Sequence, residues 1–466
     1  MSPLNAFDKL KKNAGQMTGG GAGDDGEDDK KSPDLQFAEM VEHDANRRGD
    51  GSILYSWNSR IWAPIEPVEL EREAFRFLGV HFPARATTRS AKGCAEAGVI
   101  NAKPLPKFKS DTLIVLPMQN GYLHIDLESG GLALREHEKK YGLSYQIDCN
   151  FNLDAAAPRF DKFLSEILPD EAVRNYVQEY IGYTLLGDCR YQRAIFWLGS
   201  GANGKSKLAE ICAALHSKTA AMQLDGLEGF RLAGLVGTSL VYVDETPQRI
   251  DEQQLKALIS GGLVQIDRKF REPISLRPTA KWIISGNALP AISDQSHGFW
   301  RRMPVVTFPT RFSDADADPM IAESIIKHEL AGVLNWALKG LCRLTQRGRF
   351  PETPAAMAQA IESGKLESNS VLGWWSDDRA EFDAEAETPR ADVYSDYQAW
   401  ARRSGMAPVS SPKFWNRLRQ ILGEDALPEH SVKKLGKKIR VVPLTLLDPV
   451  ADATAERDFQ RMRRDV

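Results

Sequence analysis

Eight consecutive residues carry the strongest chemical signal in this chain. Gly199-Ser200-Gly201-Ala202-Asn203-Gly204-Lys205-Ser206 fits the pattern GxxxxGK[ST] in full. An apolar stretch, Ala194 to Leu198, precedes it as a strand, and Leu208 to Leu215 follows as a helix. In that setting the glycines let backbone N–H groups face phosphates, and the helix N-terminus adds a favourable dipole. Lys205 is expected to neutralise the β and γ phosphates of ATP, and the Ser206 hydroxyl to coordinate Mg²⁺. The bland alternative is a chance glycine turn.

Three further signals follow in order. Leu240-Val241-Tyr242-Val243-Asp244-Glu245 reads as a buried strand ending in two carboxylates. Asp244 suits the Mg²⁺ shell and Glu245 suits polarisation of an attacking water; the alternative is a strand with a solvated acidic end. Lys281-Trp282-Ile283-Ile284-Ser285-Gly286-Asn287 is another apolar strand ending in an amide. Asn287 can bond a γ-phosphate and the lytic water, although Asn-Ala-Leu-Pro is also turn chemistry. Trp300-Arg301-Arg302 offers two guanidinium groups. One could act on a neighbouring subunit's nucleotide as an arginine finger, with Arg301 preferred. The alternative is a surface ion-pair couple.

A family resemblance emerges from this set. The P-loop, the Asp244-Glu245 strand, Lys256 with Ser260-Gly261-Gly262, Arg268-Lys269-Phe270, Asn287-Ala288-Leu289-Pro290 and Trp300-Arg301-Arg302 together resemble the superfamily 3 helicases. More narrowly, they look like the C-terminal helicase part of the phage/plasmid primase-helicase family, related to the poxvirus primase-helicase. Upstream, Asn120-Gly121-Tyr122-Leu123, Phe163-Leu164 and Tyr180 to Asp188 look like that family's lead-in. The resemblance covers roughly residues 100 to 445. It implies an AAA+ type ATPase that assembles as a ring, usually a homo-hexamer, with ATP and Mg²⁺ between subunits. It also implies translocation on single-stranded DNA during replication of a phage, plasmid or mobile element. The DNA-binding hairpin it implies maps onto Gln265 to Arg277, with Arg268, Lys269, Phe270 and Arg271 clustered. Phe270 beside cations also suits contact with a base or sugar; an ordinary edge hairpin is the alternative.

The elements that must position these residues form an α/β chain with smaller flanking domains. Residues 1–35 read as a disordered tail, glycine-rich and then acidic. Leu4, Phe7 and Leu10 within it could form a short partner-binding helix. Residues 36–157 read as an N-terminal α+β domain with Trp57, Trp62, Phe75 and Phe77 as core aromatics and a hairpin turn at Asn120-Gly121. Residues 158–190 read as a helical lead-in, with Asp170 capping its second helix. Residues 191–345 read as the AAA+ P-loop core on a parallel sheet. Residues 346–389 read as linker, and 450–466 as a tail. Residues 390–449 read as a winged-helix-like DNA-binding domain: two helices, then a basic hairpin at Lys433-Lys434 and Lys437-Lys438. Lys413, Arg417 and Arg419 on its second helix, with that wing, suit phosphate contacts on duplex or forked DNA.

Composition bounds the rest. The chain has 466 residues, 42% hydrophobic and 26% charged, which excludes wholesale disorder. Its net charge of −3 does not mark a nucleic-acid binder, but a ring can confine basic surface to a channel. None of the five cysteines sits in a CxxC pair, so neither structural zinc nor a disulfide framework is expected. No apolar run is long enough for a membrane helix, and no secretory signal layout is present, so a cytoplasmic protein is expected. Asp126 and Glu128 form the only DxE within residues 36–157, and primer synthesis is not expected; a separate primase could be a partner. Two rival functions remain: an AAA+ switch or helicase loader that hydrolyses ATP without processive unwinding, and a P-loop kinase or signalling ATPase.

Overall fold

The computed structural model describes residues 31–247, 250–268, 271–290, 292, 297–313, 315–423, 426–428, 430–434 and 437–447. They fall into two units. The first comprises residues 31–58 and 62–107; the second comprises 59–61 and everything from 108.

The first unit joins helix α1 (Pro33–His43), an antiparallel meander of β1 (Arg47–Gly49), β2 (Leu54–Trp57) and β3 (Trp62–Pro64), and helices α2 (Pro67–His81) and α3 (Thr88–Asn101). Ser32 and Thr87 cap α1 and α3 by accepting from Leu35 N and Ser90 N. Phe37, Val41, Leu70, Phe77, Leu78 and Cys94 form its core. Trp62 and Phe77 are core residues as expected, but Phe75 is 44% exposed on the opposite face of α2.

The second unit begins with the antiparallel strands β4 (Leu113–Met118), β5 (Gly121–Asp126) and β6 (Leu132–Arg135). Met118 pairs with Gly121, so the turn itself is Gln119-Asn120 and Gly121 opens β5. Asp126 accepts from Glu128 N (2.9 Å) and Ser129 N (2.8 Å), which makes it a turn residue. Helices α4 (Pro158–Ile167) and α5 (Glu171–Thr184) follow, the latter capped by Asp170 through Ala172 N and Val173 N. Next come β7 (Ile195–Leu198), α6 (Lys205–Ala213), β8 (Thr219–Ala221), β9 (Leu240–Val243), α7 (Glu252–Ile259), β10 (Val264–Arg268), β11 (Arg271–Leu276), β12 (Lys281–Gly286), α8 (His297–Trp300), β13 (Val305–Thr307) and the long α9 (Ile321–Arg347). Five strands form one parallel sheet in the order β13-β7-β12-β9-β8, and β10 and β11 form a separate antiparallel hairpin.

Four boundaries differ from the sequence reading. The β4–β6 hairpins belong with the second unit, so the division falls near residue 107 and not 157; Ile114, Leu116, Leu123 and Ile125 share one core with α5, α6 and α9. The stretch 158–190 is part of that core too. Gly182 of α5 lies so close to α9 that a Cβ there would sit 2.5 Å from Ala337 O and Leu341 N. Glu179, only 3% exposed, is paired with Arg343 and Arg347 of α9, which offsets its burial. Finally, 346–389 is not a linker. It holds α10 (Ala355–Ser368), α11 (Ser370–Ser376), β14 (Ala380–Phe382) and β15 (Thr388–Pro389). The first tail also ends earlier than 35, because α1 starts at Pro33.

The C-terminal module continues with α12 (Arg390–Arg403), α13 (Ser411–Leu422), β16 (His430–Lys434), β17 (Lys437–Val442) and β18 (Leu444–Leu446). Strand β14 pairs with β18, and β15 joins β17 and β16 in a three-stranded sheet. Trp374, Tyr397, Phe414, Trp415 and Leu418 fill its core, so α11, inside the supposed linker, is one of its walls. Among the described residues no helix is long and apolar enough to cross a membrane. The tail motif Leu4, Phe7, Leu10 and residues 450–466 lie outside the described residues.

Two stability outcomes follow from this packing. Gly182→Ala forces a methyl group into the α9 backbone and should lower unfolding free energy by about 1–3 kcal/mol in urea titrations. His216 is buried, bonding Thr184 Oγ1 (3.1 Å) and Ser239 Oγ (2.9 Å). Burial, aided by Lys281, lowers its pKa from 6.5 to about 3. The unfolded chain therefore takes up a proton below pH 6.5 that the folded chain refuses until about pH 3. His216 thus favours folding above pH 6.5, and that contribution fades on acidification by roughly 1 kcal/mol per pH unit. Urea unfolding at pH 7 and pH 5 should show a smaller acid loss in His216→Asn than in wild type.

Candidate nucleotide site

Three parallel strands end on one edge of the sheet, and each hands a motif residue to the same cleft. Strand β12 lies between β7 and β9; Gly286 pairs with Leu198, and Ile284 with Val243. The chain therefore leaves β7 into Gly199, β9 into Asp244 and β12 into Asn287 side by side, at the carboxyl edge where open α/β sheets bind ligands. Gly199 N donates to Gly286 O at 3.2 Å, and Thr246 Oγ1 donates to Ser285 O at 2.8 Å. These bonds fasten the three strand ends together. The cleft has a volume of about 390 Å³ and is lined by residues 201–207, Asp244, Glu245, Ser285, Gly286 and Asn287.

The loop before α6 is bent into a cradle by positive φ angles at Gly201 (92°), Ala202 (51°) and Gly204 (82°). Ala202 does this with a Cβ, a conformation that costs an L-residue on the order of 1 kcal/mol. Its carbonyl is anchored by Phe312 N at 2.8 Å. Gly204 rests on α4, where a Cβ would meet Ile167 Cγ2 at 2.6 Å. Lys205 is 5% exposed; its Nζ donates to Gly199 O (2.6 Å) and Asn203 Oδ1 (3.2 Å). Burial lowers its pKa and the Asp244 carboxylate opposes that shift. Among the described residues it forms no ion pair, so its charge is directed at the cleft. Asn203 Nδ2 is buried without a hydrogen-bond partner.

Ser206, Asp244, Glu245 and Asn287 are all solvent-exposed at the cleft. Tyr242, two residues before Asp244, donates from Oη to Asp244 Oδ1 at 2.8 Å. Burial raises the phenol's pKa, and so does its bond to Asp244. Sequence reading passed over this tyrosine. The available signal was strand alternation, which puts residues i and i+2 on the same face.

These residues fit a nucleoside triphosphate with its cation. The backbone cradle and buried lysine suit phosphates. One hydroxyl and one carboxylate suit Mg²⁺, which keeps water and substrate oxygens in its shell. Among the described residues no group of three or more His, Cys, Asp or Glu side chains could hold a metal.

The two arginines are in different situations. Arg302 donates to Ser260 Oγ (3.2 Å), Gly298 O (2.6 Å) and Gln192 Oε1 (3.1 Å), tying α7, α8 and the approach to β7 together. Burial and the Arg301 charge lower its pKa. Arg301 is exposed.

Of the basic hairpin, β10 and β11 pair in the expected antiparallel way, with Arg268 opposite Arg271 and Val264, Ile266 and Ile274 buried. Lys269 and Phe270 lie outside the described residues. In the C-terminal module Lys433 faces Lys438 and Lys434 faces Lys437 across β16 and β17; Lys433 and Lys438 are exposed. Arg417 is not part of any basic surface. It is 8% exposed, donates to Asn369 Oδ1 at 3.4 Å, and has its pKa lowered by burial.

Residues 197–302 match a family described as a family of unknown function, DUF5906. The chain is 30% identical over 172 residues to a protein of Acanthamoeba polyphaga mimivirus named "Putative helicase", a match covering 34% of this chain and 18% of that protein. It is 26% identical over 166 residues to a protein of Invertebrate iridescent virus 3 with the same designation, covering 32% and 18%. It is 24% identical over 153 residues to a "Putative primase" of African swine fever virus, covering 30% and 16%. The chain thus spans less than a fifth of the length of these relatives. Among solved structures it is similar to the apo C-terminal region of NrS-1, at 11% identity and a TM-score of 0.44, covering 89% of this chain and 100% of that one. The viral relatives agree with the primase-helicase resemblance carried by the motifs.

The arginine pair gives a direct outcome. Arg302→Ala removes a partly buried guanidinium with three partners and should cost about 1–3 kcal/mol in chemical unfolding. Arg301→Ala should leave the stability of the isolated chain within about 0.5 kcal/mol of wild type.

Proposed function

We propose that this chain is an ATP-hydrolysing DNA helicase of the ring-forming superfamily 3, AAA+ type, serving replication of a phage, plasmid or mobile element. One observation carries this reading: the ends of β7, β9 and β12 bring Lys205, Ser206, Asp244, Glu245 and Asn287 into one cleft.

In this reading the P-loop amides and Lys205 hold the triphosphate. Ser206 and Asp244 hold Mg²⁺, which when bound supplies charge neutralisation at the phosphates. Glu245 accepts the proton of the attacking water, and Asn287 orients that water against the γ-phosphate. Hydrolysis then cleaves the terminal P–O bond to ADP and phosphate. Arg301, exposed and with no side-chain hydrogen bond or ion pair among the described residues, is the finger that reaches a neighbour's nucleotide in a homo-hexameric ring. Arg302, committed to three bonds within the chain, is the positioning partner of that segment.

The β10–β11 segment, whose sequence carries Arg268, Lys269, Phe270 and Arg271, contacts single-stranded DNA. The C-terminal module, read as winged-helix-like, meets duplex or forked DNA through Lys433, Lys434, Lys437 and Lys438 by phosphate contact. The occurrence of both helicase and primase designations among the relatives supports a place in replication. A separate primase, met through the N-terminal tail, is the partner we assign. A loader that hydrolyses ATP without processive unwinding is the second reading, favoured only if hydrolysis and unwinding separate.

ATP hydrolysis with and without single-stranded DNA, run beside a forked-duplex unwinding assay, tests the assignment. DNA should stimulate hydrolysis, and Lys205→Ala should abolish both activities. Glu245→Gln should retain nucleotide binding and lose turnover. Arg301→Ala should lower assembled turnover by about 10³-fold or more while sparing nucleotide binding. Hydrolysis without unwinding would select the loader reading.

A further inference from the structure

Tyr242 lies two residues before Asp244 and bonds its carboxylate. The phenol hydroxyl donates to Asp244 Oδ1 at 2.8 Å. Ser206 of α6 and Ser285 of β12 line the same cleft as Asp244. The ring is half-buried and packs against the main core, which fixes where that oxygen sits. Asp244, by contrast, is exposed, and an exposed aspartate otherwise samples several rotamers.

From this geometry we infer that Tyr242 is a positioning residue for the cation: its O–H holds Oδ1 of Asp244 and so restrains the carboxylate that, with Ser206, would hold Mg²⁺. The inference rests on the nucleotide-site reading above and adds a residue to it. Partners that hold a metal-binding carboxylate by hydrogen bonding commonly matter by 10–100-fold in metal affinity or activity. Phenylalanine would fill the same volume, so the hydroxyl, and not the ring, is what the cleft uses. Asp244 follows directly on the last residue of β9, which brings its carboxylate within reach of the Tyr242 hydroxyl.

The test uses the full chain and Tyr242→Phe. Binding of a fluorescent ATP analogue is measured in EDTA and across a Mg²⁺ titration, and Mn²⁺ binding in the presence of ADP is followed by electron paramagnetic resonance. Affinity in EDTA should be unchanged, the cation needed for half-saturation should rise about tenfold, and saturating Mg²⁺ should restore most of the hydrolysis rate. Tyr242→His, which keeps an N–H donor, should recover part of the cation affinity. An unchanged cation requirement in Tyr242→Phe would overturn the proposal. So would an equal loss of nucleotide affinity with and without cation, or a lowered unfolding midpoint that accounts for the loss. Asp244→Asn serves as the reference: if it leaves the cation requirement of the wild-type chain untouched, the nucleotide-site reading fails, independently of Tyr242.

Discussion

The site depends on one strand being buried on every side. All six residues of β12 are buried, including Lys281 and Ser285, and the strand is hydrogen-bonded to neighbours on both edges. A strand so placed must have every backbone group satisfied. The ladder to β7 starts only at Ile283, two residues into the strand, and the gap is filled from outside the sheet. Tyr180 of α5 donates its O–H to Trp282 O at 2.7 Å and accepts from Trp282 N at 3.2 Å. Lys281 is met in the same way, by the carbonyls of Leu186 and Thr279 and the face of Tyr183. Its burial lowers the ammonium pKa to about 8, a shift partly opposed by Cys189 and Asp188. The segment before the P-loop therefore closes the base of the sheet so that the opposite edge can carry chemistry.

That dependence explains why α5 and α9 are clamped so closely. Gly182 permits backbone contact between the two helices, and Glu179 with Arg343 and Arg347 fixes their rotation. A buried ion pair adds little net stability against an apolar substitute, yet removing one partner strands a charge. The arrangement is better understood as setting register: it places Tyr180 opposite Trp282 and, through α4, puts Ile167 under Gly204. Sheet and P-loop are thus supported by the same pair of helices.

What could be read from sequence divides along the range of the interactions. The P-loop, the Asp244 strand and the Asn287 strand were legible because each is a continuous apolar run ending in a polar residue, and a fully buried parallel strand requires that pattern. Asp170 was legible as a cap because capping is local. The domain division was not, because nothing in residues 108–157 signals that Leu116 and Leu123 pack with α5 and α9. The acidic stretch 381–388 looked like linker because β14 and β15 are only three and two residues long, and their partners β18 and β17 lie some sixty residues away. Arg417 looked exposed for the same reason: its acceptor Asn369 is 48 residues earlier.

The P-loop itself joins strain to charge. Ala202 occupies a left-handed conformation and Lys205 is held nearly buried against its own loop's carbonyl. Both arrangements are unfavourable in isolation. Both persist because the loop is anchored beyond itself, by Phe312 N on Ala202 O and by Ile167 beneath Gly204. The consequence is pre-organisation. A triphosphate meeting this cradle finds amides already turned toward it and a cation whose desolvation has been met during folding. In the proposed reading, the part of binding that would otherwise reorder the loop remains available for orienting the γ-phosphate between Asn287 and Glu245. Folding free energy stored by α4 and the segment at Phe312 is thereby expressed as geometry at the phosphates.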